Sequence, residues 1–531
     1  MAPAATPTTP QNATRDPAAA LRDRMHELAD LTAASALLAW DQQTMMPAGG
    51  GEARADQLAT LERLHHDRLT AVEVGEWLDA LADGEHEDEP AAPAGDPEDR
   101  TERDAALVRV ARRDREKALR VPGSLLAELA RAASHGQVAW QAARAAEDFG
   151  ALPPHLRELV ALRRRYVECF PEVEHPYDAL LDDHEPGMRT DGLRAVFATL
   201  RDGLVPLVAA IAQARARGDA PDPLPGPFPA DRQRTLVREV LSVLGFDPSR
   251  FRLDESAHPF SIGVALGDQR ITARYAEDTL ESLHAAMHEF GHALYESGFS
   301  AALARTPLGA AVSTGIHESQ SRLWENMLGR SRPFCEFLAP RLRATFPETL
   351  GSLDVRELHR SVNRVQPSLI RVEADEVTYS LHVILRFELE LELFEGTLEP
   401  DELPARWNER MRSYLGLEVP DDAHGVLQDI HWSAGAFGYF PTYALGNLMA
   451  AQLWRTIRVE LPELDERVRA GDFTALRDWL AVRVHRSGRM FTPAQTLRRA
   501  IGEDLDPEPF LDYLWVKHGE IHAVRRSSPA A

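Results

Sequence analysis

Two histidines four residues apart, with a glutamate directly after the first, are the residues of this chain best spaced for chemistry: His288-Glu289-Phe290-Gly291-His292. On an α-helix, residues four apart stand one turn above each other, so both imidazoles can reach one ion. Glu289 projects beside them and can take a proton from a water held there. Two imidazole ligands with an adjacent carboxylate base suit metal-assisted hydrolysis of a peptide bond.

The stretch 279–298 must then be a helix. Asp278 or Thr279 can cap its start and Gly298 can end it. Leu283, Met287, Phe290 and Leu294 form an apolar stripe that would bury one face. His284 lies one turn before His288, but nothing follows it at a useful spacing. It reads as a histidine that packs on, or hydrogen-bonds to, the ligand set. Catalytic zinc needs a third protein ligand and an open position for water. Glu318, in His317-Glu318-Ser319-Gln320, begins another helical run that ends at Leu328. Glu325 and Glu296 compete with it, and spacing alone leaves the three open. A further carboxylate should fix one ligand imidazole, with Asp375 as a candidate.

The rest of the sequence is the frame for this helix. With 531 residues it has room for three or four domains, or one large one. Hydrophobic residues at 44% and charged residues at 27% are those of a globular chain. The net charge of −24 repels phosphate backbones and anionic lipid, which argues against nucleic-acid and membrane partners. Two cysteines, Cys169 and Cys335, exclude a disulfide framework and read as reduced thiols. Residues 1–20 are rich in Ala, Pro and Thr and lack the apolar region of a secretory signal. The apolar run 204–212 is interrupted by Pro206 and falls short of the ~20 residues that span a bilayer. A soluble cytoplasmic protein is expected.

Apolar residues recur at helical spacing over 18–38, 54–82, 105–119, 125–149, 156–170, 192–215 and 232–244. Gly75, Gly136, Gly203 and Pro206 are the internal breakers. Residues 83–104 carry ten acids against two bases and read as an acidic loop or insertion. Runs 259–264 and 269–275, separated by four residues, predict a β-hairpin, after which helices resume. The expectation is a mainly α protein: a tail over 1–17, one large helical catalytic body over 18–522 with a small sheet beside the metal helix, and a short tail over 523–531.

Further motifs give the chain a resemblance. His258-Pro259-Phe260, then Asp268, Arg270 and Thr272, precede the metal helix. His317-Glu318-Ser319-Gln320 follows it, then Ile370, Arg371, Ala374 and Asp375, then Gly425, Gln428, Asp429, His431 and Trp432. With Trp40-Asp41-Gln42 and Met46-Pro47, these ordered motifs resemble the carboxypeptidase Taq family of metallocarboxypeptidases over nearly the whole chain. The resemblance implies removal of single residues from peptide C-termini with broad preference. It implies one divalent ion per subunit, usually Zn2+ and sometimes Co2+, in a deep groove of a helical fold that is commonly a homodimer. By match, His288, His292 and Glu318 are the ligands and Glu289 is the general base.

Other roles follow from what that chemistry needs. Oxyanion donors are sought first at His431 and then at Tyr439 or Tyr443. A terminal carboxylate calls for a guanidinium. Arg270 is preferred over Arg371, because the family holds either Arg or Ala at the position of Arg371, which suits a role in groove shape. His258 is a candidate groove residue, and Gln428 and Asp429 are candidates for orienting His431 or the substrate backbone. A zinc oligopeptidase or dipeptidyl carboxypeptidase would carry the same metal helix. An inactive peptide-binding scaffold is argued against by the intact ligand set.

Overall fold

The structure, a computed structural model, describes residues 16–81 and 96–526. Helices fill most of it, from Pro17–Thr44 to Glu508–His522, and the sheet is confined to three short strands. The principal apolar core runs through the helices after residue 120. A second, smaller core joins the first helices, where Leu21, Met25 and Leu28 meet Leu69, Val74, Leu78, Leu107 and Val110.

The helical runs form where periodicity places them, with three departures. The run 54–82 divides at Ala71, whose extended backbone (φ −52°, ψ 143°) ends the helix Gly51–Thr70. Gly75 sits inside the next helix, Val72–Leu81. Pro206 does not interrupt the helix Thr190–Ala216. Proline in a helix interior costs about 3 kcal/mol, and the buried face of Leu193, Phe197, Leu200, Leu204, Leu207 and Ile211 offsets it. That helix is long and apolar enough to cross a bilayer by length and composition. Here its apolar face is core, with the Phe197 ring edge-on to Phe387 at 5.1 Å. The third departure is in the acidic stretch. Asp99 accepts from the backbone N–H of Thr101 and Glu102 and starts the helix Arg100–Arg120, five residues before the apolar period begins. The expected tails and the rest of the acidic stretch, 1–15, 83–95 and 527–531, lie outside the described residues.

The hairpin is present as β2 (Ser261–Ala265) and β3 (Asp268–Ala273), antiparallel with Ile262 opposite Arg270. A strand that local sequence does not announce, β1 (Phe251–Glu255), pairs parallel with β3, giving the order β1-β3-β2. The sheet supports the metal helix, Glu281–Ser297, with Phe251 edge-on to Phe290 at 5.2 Å.

The metal helix is packed against helix Thr314–Arg322 at unusually close range, and Gly291 is the reason. A Cβ there would stand 2.7 Å from the Gln320 carbonyl oxygen and 2.8 Å from Ser321 Cα. Those are backbone atoms and cannot step aside. Gly291→Ala is therefore expected to lower stability by about 1–3 kcal/mol, although alanine is the better helix former. Urea unfolding of the metal-free protein measures this, and an unchanged midpoint would contradict the close packing.

Candidate metal centre

The metal helix begins at Glu281, with Thr279 Oγ1 accepting from the Glu281 N–H at 3.2 Å, and Gly298 terminates it. Leu283, Met287 and Phe290 turn inward as the stripe predicts. His288 and His292 therefore stand on the opposite side, their rings 4.9 Å apart. Helix Thr314–Arg322 presents Glu318 to them. Glu318 Oε2 lies 3.7 Å from His288 Nε2 and 3.5 Å from His292 Nε2. Tetrahedral bonds of ~2.0–2.2 Å to one zinc ion put ligand atoms about 3.3 Å apart, and both distances from Glu318 are near that value. Among the described residues it is the one group of His, Cys, Asp and Glu whose ligand atoms all lie within 4.8 Å of one another.

The other face of each imidazole is already committed. His288 Nδ1 is 2.9 Å from Glu325 Oε2, and His292 Nδ1 is 3.1 Å from the His317 carbonyl oxygen. Each Nδ1 is thereby fixed as the donor, and each Nε2 lone pair faces the centre. Burial, with the nearby His317, depresses the His292 pKa to about 3, so this ring is neutral, as a ligand must be. Burial would depress His288 too, but the Glu318 and Glu325 carboxylates outweigh it and raise its pKa. An ion binding at Nε2 displaces a proton there. Glu318 is anionic: burial opposes its charge, but Arg322, with His288 and His292, holds it far below the usual carboxylate range.

Arg322 is a residue the sequence reading passed over. Its Nε donates to Glu318 Oε1 at 2.7 Å, leaving Oε2 for the ion, and its Nη1 donates to Glu325 Oε2 at 3.2 Å. Glu318, Arg322 and Glu325 are spaced i, i+4 and i+7, one helical face, and that spacing is visible in the sequence. Glu325 lies in the π-helical turn Leu323–Leu328 that extends this helix. The three competing glutamates part in space. Glu318 joins the histidines, Glu325 orients His288, and Glu296 pairs with His317 Nε2 at 2.9 Å. Asp375 is not the imidazole-fixing carboxylate. It accepts the backbone N–H groups of Gln366, Val377 and Thr378 and holds its own loop. His284 is buried and neutral beneath the ligands, its pKa lowered to about 4 by burial and Arg330.

Glu289 is buried on the same helix, and its carboxyl is pushed up to about 7, mainly by burial. The remaining candidates lie on the segment before helix Pro441–Glu460 and on the first turn of that helix. His431 Nε2 stands 3.5 Å from the Tyr443 hydroxyl, and the His431 and Tyr439 ring centroids are 5.7 Å apart. Burial, with the charge of Glu318 contributing, raises both tyrosine pKa values, so both keep their O–H. His431 is neutral, lowered to about 4 by burial. Gly446 lets helix Pro441–Glu460 approach the ligand helix, since a Cβ there would meet Glu318 Cγ at 2.5 Å.

The two arginines differ in setting. Arg270 forks onto Asp268 at 2.8 and 2.9 Å and lies 4.4 Å over the Trp40 ring, on the sheet. Arg371 belongs to the tyrosine cluster, 4.9 Å over the Tyr443 ring, with its Nη1 donating to Tyr379 at 3.1 Å. Arg371 and Arg386 share one carboxylate, Asp429, so this cluster keeps an excess positive charge. Gln428 is spent inside this cluster, accepting from the Arg371 N–H and from Arg386 Nη2 and donating to the Leu369 carbonyl. His258 is exposed in the loop between β1 and β2.

A family model described as carboxypeptidase Taq (M32) metallopeptidase matches residues 20–518. The chain belongs to the carboxypeptidase Taq family. Membership makes it a metallocarboxypeptidase, a peptide hydrolase. Thermostable carboxypeptidase 1 of Thermus thermophilus is 43% identical over 512 residues, 94% of this chain and 98% of that protein. Carboxypeptidase 1 of Bacillus subtilis is 35% identical, again over 94% of this chain and 98% of that protein. The crystal structure of an M32 carboxypeptidase from Deinococcus radiodurans superposes with a TM-score of 0.90 at 40% identity, covering 96% of this chain and all of that one.

Proposed function

We propose that this family member removes single residues from the free C-termini of peptides, using one zinc ion held by His288, His292 and Glu318. The observation that carries the reading is the convergence of those three ligand atoms, with both imidazoles held from behind. The ion supplies Lewis acidity toward a water and the scissile carbonyl. Glu289 accepts the proton of the attacking water and returns it to the leaving amine. The developing oxyanion is met by His431 with Tyr439 or Tyr443, whose hydroxyls stay protonated and feel the charge of Glu318.

The terminal carboxylate of the substrate is placed at Arg371. The charge balance favours it over Arg270: Arg270 is neutralised by Asp268, whereas Arg371 and Arg386 together exceed Asp429 by one charge. Product mapping on N-blocked peptides tests the exopeptidase reading. Free C-termini should release single amino acids in sequence, and amidated peptides should be cut at least about a hundredfold more slowly. Release of dipeptides would favour a dipeptidyl carboxypeptidase, and equal cleavage of amides an oligopeptidase. Arg371→Met should raise KM for free peptides more than for amides, whereas the same effect from Arg270→Met alone would return the role to Arg270.

A further inference from the structure

Glu390 is a fully buried carboxylate outside the metal site, on helix Tyr379–Glu395, and the mechanism above gives it no task. It accepts three hydrogen bonds. Oε1 receives Trp432 Nε1 at 2.8 Å, and Oε2 receives the backbone N–H of Gly438 at 2.9 Å and the Tyr177 hydroxyl. Two of these donors sit next in sequence to the oxyanion candidates, since Trp432 follows His431 and Gly438 precedes Tyr439. One carboxylate thus ties both ends of the turn between His431 and Tyr439.

The turn is held from its other side as well. Gly438 has φ +84°, and a Cβ on it would stand 2.6 Å from the Leu180 carbonyl oxygen. Leu180 and Tyr177 lie on the same helix, Pro176–Leu181, so the turn is gripped between that helix and Glu390. At its tip, Arg163 Nε donates to the Gly435 carbonyl at 2.8 Å. Burying a carboxylate is unfavourable unless its oxygens are filled, and here three buried donors fill them. Burial raises the Glu390 pKa to about 7 while Tyr177, Gly438 and Trp432 pull it down.

We infer that Glu390 is a positioning residue: through Trp432 and Gly438 it sets where His431 and Tyr439 meet the developing oxyanion. This rests on the donor role proposed above for His431 and on Tyr439, of the two tyrosines named there, being its hydroxyl partner. Glu390 touches neither the ligands nor Glu289, so its removal should leave metal binding intact and act on kcat rather than KM. A displacement of about 1 Å in a catalytic donor can lower a rate about a hundredfold.

The experiment uses the zinc-loaded full chain. Glu390→Leu should lower kcat about 30–100-fold with KM within about threefold of the parent and zinc content unchanged. Glu390→Gln, which keeps an acceptor for Gly438 but faces Trp432 with an amide, should recover at least half of that loss on a logarithmic scale. Trp432→Phe, which keeps an aromatic ring in the core and removes one donor, should give an intermediate loss. In a His431→Ala, Tyr439→Phe background, Glu390→Leu should lower kcat less than threefold further. If Glu390→Leu and Trp432→Phe both leave kcat within twofold of the parent, the inference is overturned. It is also overturned if the Glu390 effect persists in full in the double-mutant background, or appears in KM and zinc content. The donor reading fails separately, if His431→Ala and Tyr439→Phe themselves leave kcat unchanged.

Discussion

Glu289→Gln is expected to keep its divalent ion and lose about a thousandfold or more of its hydrolytic rate, since a positioned base contributes about 10²–10⁴ and Glu289 is proposed to serve both proton transfers. The amide has the size of the carboxyl and cannot accept the water proton at neutral pH. Glu289 lies on the ligand helix, but the three converging ligand atoms come from His288, His292 and Glu318. None of them moves in this substitution, and the Glu325 and His317 contacts behind the imidazoles also remain. Elemental analysis and steady-state kinetics on one blocked dipeptide, run on the same preparation, separate the two quantities. Activity within a few-fold of the parent would falsify the assignment of Glu289 as base. Loss of zinc along with activity would instead make it a part of the ligand set.

What could be read from the sequence is what depends on local spacing. The metal helix, its apolar stripe and the pair of imidazoles are all set within 17 residues, where periodicity is decisive. The third ligand is a different kind of question. Glu318, Glu325 and Glu296 are chemically equivalent on paper, and their separation in space follows from how closely two helices approach. That approach is set by Gly291 and Gly446, whose missing side chains carry no signal until the neighbouring helix is known. Strand β1 was missed for the same reason, because its partner β3 is non-local and parallel. Arg322, by contrast, could have been found, since it continues the face of Glu318 at a fixed helical offset, as the candidate Glu325 does. The pairing of Arg270 with an acid two residues away was equally legible, whereas the excess charge at Arg371 needed the distant Arg386 and Asp429 to be brought together.

The same geometry predicts an order of metal affinities. Glu318→Gln should weaken zinc binding by well over a hundredfold, more than Glu325→Gln, which should weaken it about 10–100-fold as the loss of an orienting partner does. Glu318 is the only anion among the three proposed ligands, and an amide removes its charge from a centre proposed to hold a dication. The loss is compounded by Arg322, which donates to Glu318 Oε1 at 2.7 Å and would keep its own positive charge beside the ion without that partner. Glu325→Gln leaves all three ligand atoms and can still accept from His288 Nδ1, so its effect is confined to ring basicity and orientation. Competition against a chelating indicator measures both constants, and circular dichroism confirms that each variant is folded. Parent-like affinity in Glu318→Gln, or a larger defect in Glu325→Gln, would transfer the third ligand from Glu318 to Glu325, with His288 then turned about its ring to offer the other nitrogen.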